Sequence, residues 1–316
     1  MPTLFDSARH EALTATPWNE GAARKAIGSI ADDALRRFTP ETLWPMHPLD
    51  DPEPGAAPQH GLYFGAGGLI WALQHLRRTG AIAGGFDFSL TVATLVERNR
   101  AAIATWDDPH GSWLFGDAGL LCLQWQVTRD AASADALFAC VEANLHHKSL
   151  EALWGSPGSL LATIAMAEAS GEPRWRDQLE RGLRILWQAM RFDESLGAWL
   201  WVQDLYGKQR PLLGAGHGFA GNIFPALHGA RFLPADLVAA YAERALQTLS
   251  ATAVHDGPCI NWLPAYDPSA TGPVKWLMQD CHGAPGIVCR LAGAPRSAVW
   301  DALLLGAGEA IWQAGP

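Results

Sequence analysis

The sequence has 316 residues, of which 49% are hydrophobic, and a formal net charge of -9 at pH 7. An acidic chain lacks the basic face that a nucleic-acid backbone requires, so we expect no nucleic-acid partner. No apolar run approaches the roughly 18 residues of a transmembrane helix, and the N-terminus lacks the features of a signal peptide. The five cysteines are an odd number spread over a long chain, which argues against a disulfide framework and favours a cytoplasmic protein.

The first 60 residues predict a helix followed by an irregular loop. Residues 18–38 carry apolar side chains at helical spacing, which predicts an amphipathic helix. A proline-rich stretch then predicts an extended loop, because proline fixes φ and removes a backbone donor. Its prolines are Pro40, Pro45, Pro48, Pro52, Pro54 and Pro58. No linker divides the chain, so we expect one domain over residues 1–316.

From residue 61 to residue 316 the chain repeats a short glycine pattern. Five Gly-x-x-Gly segments each open an apolar run, and their first glycines are Gly65, Gly116, Gly155, Gly218 and Gly283. Glycine lets the backbone turn sharply and pack closely where a helix begins. Each segment therefore predicts the start of an inner, mostly buried helix.

Amphipathic segments alternate with these apolar runs and predict outer helices. They cover residues 90–104, 134–145, 175–190, 237–249 and 299–312. Stacked helical hairpins bury a continuous core, so the pattern predicts an all-α fold that closes into an α/α toroid. Residues 198–202 are the best candidate for a short β-hairpin. The fifteen tryptophans are predicted to fill the core rather than to form a ligand-stacking surface.

The motifs in these repeats resemble those of the lanthionine synthetase C-like proteins. They are Cys-His-Gly-Ala-Pro-Gly at 281–286, Gly-Ala-Gly-His-Gly-Phe-Ala-Gly at 214–221, Phe-Gly-Asp-Ala-Gly at 115–119, and Glu151 four residues before Gly155. The resemblance covers the chain from about residue 61 to its end. It implies an α/α toroid that catalyses zinc-assisted addition of a cysteine thiol to a dehydroamino acid, forming a thioether; relatives add glutathione.

The resemblance also implies which residues form the site. Cys281 matches the first of two cysteines that, with one histidine, hold Zn²⁺ in the family, and His282 is a weaker candidate ligand. Zinc would lower the pKa of a substrate thiol. His217 matches the histidine that handles the proton at the enolate carbon, and Glu151 matches an acidic residue beside it. The expected partner is a small thiol or a modified peptide.

The sequence departs from the family pattern after Cys281. The second zinc cysteine and its neighbouring histidine belong to a later Cys-His-Gly motif, and the sequence ends at Pro316 without one. Asp280 replaces the usual tryptophan, and Leu277 stands where peptide cyclases tend to carry arginine. We therefore expect an incomplete toroid of about five hairpin repeats, impaired catalysis, and self-association through exposed apolar faces.

Simpler interpretations of these residues stay open. Cys281 could be a buried thiol, and Cys122 and Cys140 lie in apolar runs that predict core positions. Glu151 could be a solvated carboxylate in the first turn of a helix, and Asp117 could cap its helix. A substitute metal site would have to use His255, Cys259, Cys281 and His282, whose spacing matches no local zinc motif.

Two other functions are compatible with the same sequence. One is a metal-free relative that binds a peptide or glutathione without catalysis. The other is a carbohydrate-acting α/α barrel, since such enzymes use carboxylates and stacked tryptophans. Glu151, Asp117 and Asp280 would then supply its acids, although such an enzyme has no need of a Cys-His-Gly motif.

Overall fold

The computed structural model describes residues 4–47, 49, 59–106, 109–269 and 274–316. Across these residues the chain forms eleven α-helices, two short 3₁₀ turns and three two-stranded antiparallel hairpins. Two compact units can be distinguished, Ala15–Cys140 and a second that joins Met1–Thr14 to Val141–Pro316. The predicted single domain stays a prediction. Residues 48 and 50–58 of the predicted proline-rich loop lie outside the described residues.

The unit Ala15–Cys140 contains the first helices of the chain. They are α1 (Glu20–Arg37), α2 (Ala66–Arg78), α3 (Ser89–Ala102), α4 (Asp117–Thr128) and most of α5 (Ala131–Asn144). The helix predicted over residues 18–38 is confirmed as α1. It begins where the Asn19 side chain accepts a hydrogen bond from the Ala22 amide, which satisfies one of the free donors of the first turn. Helices α3 and α4 pack against each other.

The other unit contains three inner helices, three outer helices and the hairpins. Its helices are α6 (Ser156–Ser170), α7 (Pro173–Ala189), α8 (Phe219–His228), α9 (Ala235–Thr252), α10 (Ala284–Leu291) and α11 (Ala298–Ala314). Helix α8 packs against α6 and α10, and each of these also contacts the outer helix that follows it. The predicted alternation of inner and outer helices is therefore confirmed in this unit.

Three antiparallel hairpins connect helices in this unit. They pair β1 (Arg191–Asp193) with β2 (Ala198–Leu200), β3 (Gln203–Leu205) with β4 (Lys208–Arg210), and β5 (Val254–Asp256) with β6 (Cys259–Asn261). The hairpin predicted at residues 198–202 is confirmed in part, because residues 198–200 form β2, which pairs with β1. Hairpin β3–β4 follows it directly and was not predicted, although it contributes most of the cavity described below.

The repeated glycines have two distinct structural roles. All five first glycines are the N-cap residues of α2, α4, α6, α8 and α10. At the second glycine of four repeats, an added Cβ would lie 1.8–2.2 Å from the backbone carbonyl oxygen six residues earlier. These second glycines are Gly68, Gly119, Gly221 and Gly286. The preceding loop can therefore fold back onto the helix start only where no side chain is present.

Buried aromatic side chains form the core of the Val141–Pro316 unit. Trp175, Trp201 and Trp262 are 0–1% exposed. The indole of Trp201 donates to the Leu186 carbonyl at 2.8 Å, and that of Trp262 donates to the Leu249 carbonyl at 3.0 Å. The indole nitrogens of Trp201 and Trp262 are thus satisfied inside the core, as is usual for buried tryptophan. These three tryptophans are core residues, as predicted, but Trp18 and Trp312 are exposed, so the prediction does not hold for all fifteen.

A helix that crosses a membrane must be both long and apolar. None of the helices in the described ranges is both long enough and apolar enough to cross a bilayer.

Candidate functional site

Glu151 is a buried carboxylate in the turn that precedes α6. Its side chain is 0% exposed. Oε1 accepts a hydrogen bond from the Trp154 amide at 2.6 Å, and Oε2 accepts one from the Leu153 amide at 3.1 Å. The interpretation of Glu151 as a solvated first-turn carboxylate is therefore wrong, because the residue is buried and lies before the helix. Its hydrogen bonds compensate part of the cost of burying a charge.

His217 lies in the loop before α8 and points at Glu151. Its Nδ1 is 2.8 Å from Glu151 Oε2, and its side chain is 19% exposed. An ionised carboxylate only accepts hydrogen bonds, so Nδ1 carries the proton in this pair. The second ring nitrogen, Nε2, is then the one available to exchange protons with a substrate. The structure thus brings together the two residues that the family resemblance assigned to proton handling.

Cys281 and His282 lie in the loop before α10, next to the loop that carries His217. The Gly216 amide donates to the Cys281 carbonyl at 3.2 Å, and the rings of His217 and His282 are 5.7 Å apart. Burial lowers the pKa of His282 to about 4, with a smaller contribution from His217. His282 is therefore a neutral imidazole near neutral pH, and its Nδ1 is buried without a hydrogen-bond partner in the described part of the chain.

The donors near Cys281 do not complete a zinc site. Its Sγ lies 3.8 Å from Gln279 Oε1, and the described ranges contain no group of three or more His, Cys, Asp or Glu side chains suited to a metal. The alternative metal site considered from the sequence does not form. Cys259 packs with Leu4 in the core, and His255 is exposed. A structural or catalytic zinc needs at least three protein ligands, so the described residues around Cys281 do not fit a zinc ion.

A cavity of about 390 Å³ opens over His217 and His282. Hairpin β3–β4 supplies five of its lining residues. The full lining is Gln203, Leu205, Tyr206, Lys208, Arg210, Leu212, His217 and His282. Of the residues predicted for the site, His217 and His282 thus line the cavity, and Glu151 lies behind His217. Cys281 does not contribute to the lining.

The tip of hairpin β3–β4 has an unusual backbone. Tyr206 and Gly207 both have positive φ, 52° and 72°, as a two-residue type I′ turn requires. A tyrosine in this region is uncommon and strained, and such strain concentrates at functional sites. The Tyr206 hydroxyl accepts a hydrogen bond from the Trp154 indole at 3.1 Å. The hairpin is thereby tied to the turn that holds Glu151.

The other two acidic residues considered for carbohydrate chemistry are in ion pairs. Asp117 is the first residue of α4, where Gly116 is the N-cap, and its Oδ2 lies 2.7 Å from Arg100 Nε. The interpretation of Asp117 as a helix cap is therefore wrong. Asp280 pairs with Arg290 at 2.9 Å and is outside the cavity lining.

The cysteines differ in environment and should differ in reactivity. Burial raises the pKa of the Cys122 and Cys140 thiols to about 12, whereas Cys289 is exposed. At about pH 8 only about one in ten thousand Cys122 or Cys140 thiols is ionised, so we expect iodoacetamide to modify them at least about 100-fold more slowly than Cys289. Peptide mass mapping over time checks this, with denatured protein as the control. Equal labelling of Cys122 and Cys289 in the folded protein would contradict the burial of Cys122.

Comparison with solved structures identifies a similar fold. Nisin cyclase superposes with a TM-score of 0.58 at 11% sequence identity, over 92% of this chain and 75% of the cyclase. The sequence matches no protein-family model, and it matches no curated protein. The chain therefore has the all-α fold of nisin cyclase, which confirms the fold class predicted from the glycine repeats; closure and completeness of the toroid stay predictions.

Proposed function

We propose that this chain is a lanthionine synthetase C-like protein that adds a thiol to a dehydroamino acid, with His217 and Glu151 as the proton-handling pair. The observation that carries the proposal is the 2.8 Å contact between His217 Nδ1 and the buried Glu151 carboxylate, beneath a cavity. The nisin cyclase fold and the motif resemblance support the same chemistry.

The proposed step conserves atoms and electrons without an oxidant. The thiol sulfur forms a bond to the β-carbon of the dehydroamino acid while the π electrons move to the enolate. His217 Nε2 takes the thiol proton, and the resulting imidazolium returns it to the α-carbon. Glu151 orients the ring and stabilises its positive charge, as a buried carboxylate does for a histidine base.

We expect this reaction to be slow. A free thiol has a pKa near 8.5, so activation by an imidazole alone leaves a substantial barrier compared with prior ionisation on a metal. Zinc binding through Cys281, which the family resemblance implies, stays a prediction, although the described residues around Cys281 do not supply three ligands. Zinc per chain, measured beside a Cys281→Ala variant, tests it.

A second candidate function is binding of a peptide or thiol without catalysis. It is favoured by one observation, the absence of three clustered metal donors from the described ranges. This alternative predicts that a thiol or dehydrated peptide binds in the cavity but that no thioether accumulates above the uncatalysed rate.

The discriminating experiment uses a dehydroalanine peptide and glutathione. Mass spectrometry measures thioether formation, and chiral analysis of the hydrolysed product measures the configuration at the new α-carbon. A positioned acid delivers the proton to one face, so the wild-type product should be a single stereoisomer, whereas the uncatalysed reaction gives a mixture. His217→Ala should return both the rate and the isomer ratio to the uncatalysed values.

The matched control is His255→Gln. His255 is an exposed histidine on β5, so its removal should leave rate and stereochemistry unchanged. Product formed by the wild type at the uncatalysed rate, with mixed configuration in both metal-free and zinc-supplemented samples, would exclude the enzyme and leave the binding function.

A further inference from the structure

We propose that Lys208 and Arg210 form a recognition site for a carboxylate group on the substrate. The inference rests on the proposed function, since it names a feature of the substrates of that reaction. It concerns specificity, and neither residue is assigned to the chemical step. It comes from hairpin β3–β4, which sequence motifs did not identify.

The hairpin register places both cations on the cavity side. Gln203 pairs with Arg210 and Leu205 pairs with Lys208, and directly paired residues project from the same face of a hairpin. These four residues all line the cavity. The opposite face carries Asp204 and Gln209, which contact each other at 3.3 Å between Oδ2 and Nε2. The carboxylate of this hairpin therefore lies on the face away from the cations.

The two cations have no ion-pair partner within the described residues. No carboxylate lies within salt-bridge distance of Lys208 or Arg210 in that part of the chain, and both side chains are exposed. The Glu151 carboxylate behind His217 is fully buried and already bonded to His217, Leu153 and Trp154. The cavity thus presents two available positive charges in a chain whose net charge is -9.

Buried hydrogen bonds anchor the base of the hairpin and so fix the backbone that carries Lys208 and Arg210. Gln203 is 0% exposed; its Nε2 donates to the Leu150 carbonyl at 3.2 Å, and its Oε1 accepts from the Leu212 amide at 2.7 Å. Leu150 directly precedes Glu151, so the base of the hairpin and the proton-handling pair share one anchor. A fixed backbone leaves only the Lys208 and Arg210 side chains to be ordered by a bound anion, which limits the loss of entropy.

A carboxylate is the ligand group that fits these observations and the proposed chemistry. Arginine and lysine bind carboxylate oxygens through charge-assisted hydrogen bonds. The reactants of the proposed step are amino-acid derivatives, whose anionic groups are carboxylates. The group could belong to the thiol or to a residue beside the dehydroamino acid, and the experiment separates these two sources.

Binding of matched probe pairs tests the inference. One pair is 3-mercaptopropionate and its amide; the other is a dehydroalanine peptide with either Glu or Gln beside the reacting residue. Calorimetry should show that the wild type binds the carboxylate member of one pair about tenfold more tightly, as two exposed charge-assisted contacts together allow. The pair that shows the preference identifies the source of the carboxylate.

The decisive variant is the double substitution Lys208→Gln with Arg210→Gln. We expect it to bind both members of each pair equally. The control, Arg176→Gln with Arg191→Gln, removes two exposed cations that do not line the cavity and should keep the tenfold preference. Raising the salt concentration from about 50 to about 500 mM should weaken the preference in the wild type without any substitution.

Several outcomes would overturn the inference. They are equal binding within both pairs by the wild type, no measurable binding of any probe, or a preference that survives in the double variant. Because the readout is binding, it is independent of turnover. A protein with the preference but no thioether product contradicts the proposed function alone, and a protein that forms the product without the preference contradicts this inference alone.

Discussion

Replacing Glu151 with glutamine should lower kcat for thioether formation by about 10²–10⁴-fold, the range that general acid–base catalysis contributes. Glutamine cannot stabilise the imidazolium, and its amide can hold His217 in the wrong tautomer. KM should change little, because Glu151 lies behind His217 and does not line the cavity. Steady-state kinetics with the dehydroalanine peptide measures both parameters.

A double-substitution comparison separates catalysis from structural support. Glu151 also braces the turn before α6 through the Leu153 and Trp154 amides, so the variant should lose about 1–3 kcal/mol of stability. If the two residues act as a unit, the Glu151→Gln, His217→Gln double variant should be no slower than His217→Gln alone. Glu172→Gln, which alters a half-exposed surface carboxylate, is the control. A Glu151→Gln variant with nearly full kcat would show that the carboxylate only braces the turn.

The helix starts of this fold could be predicted because their cause is local. A glycine at the N-cap and another three residues later allow a loop to fold back tightly, whatever the rest of the chain does. All five predicted starts are confirmed for that reason. His217 and Glu151 were predicted from motifs that lie at two of these helix starts. Their 2.8 Å contact joins residues 66 positions apart, so the residue types alone do not reveal it.

The cavity wall could not be predicted in the same way. Hairpin β3–β4 depends on a strained Tyr206 that is held by a hydrogen bond to Trp154, 52 residues earlier. The available signal was the Tyr-Gly pair between two short segments, which is weaker than the Asn-Gly pair typical of such turns. Likewise, the motif drew attention to Cys281, whereas it is its neighbour His282 that lines the cavity.

Small residues let three loops of the site approach one another. A Cβ on Gly216 would lie 2.9 Å from Cys281 Cβ, and one on Gly286 would lie 2.7 Å from Ala215 Cβ. Near the start of α8, a Cβ on Gly221 would lie 3.2 Å from the Cβ of Ala152, which is in the loop before α6. The loops before α6, α8 and α10 therefore meet through backbone and methyl groups. This close packing is what allows Glu151 to reach His217 and places His282 beside it.

Replacing Asn261 with leucine should destabilise the protein by about 3–5 kcal/mol, because it leaves several buried backbone groups without partners. Asn261 is 0% exposed. Its Nδ2 donates to the carbonyls of Leu4 and Leu277 at 2.8 and 3.3 Å, and its Oδ1 accepts from the amides of Trp262 and Ala284, both at 2.8 Å. Leucine has the same branched shape and number of side-chain heavy atoms, although it is larger, and it makes none of these hydrogen bonds. Denaturant unfolding measures the loss.

The same substitution should disturb the site, because Asn261 links both ends of the loop that carries Cys281 and His282. Leu277 lies before that loop, and Ala284 is the first residue of α10. Gly283 has φ of 100°, and a Cβ there would lie 1.9 Å from the Leu277 carbonyl oxygen, so the loop has little freedom to adjust. We therefore expect Asn261→Leu to increase the iodoacetamide labelling rate of Cys281 at denaturant concentrations where the core remains folded.

Gln313→Leu, which alters an exposed amide on α11, should change stability by less than about 0.5 kcal/mol. An Asn261→Leu variant as stable as this control, with unchanged Cys281 labelling, would contradict the proposal that the Asn261 hydrogen bonds hold the loop before α10 in place.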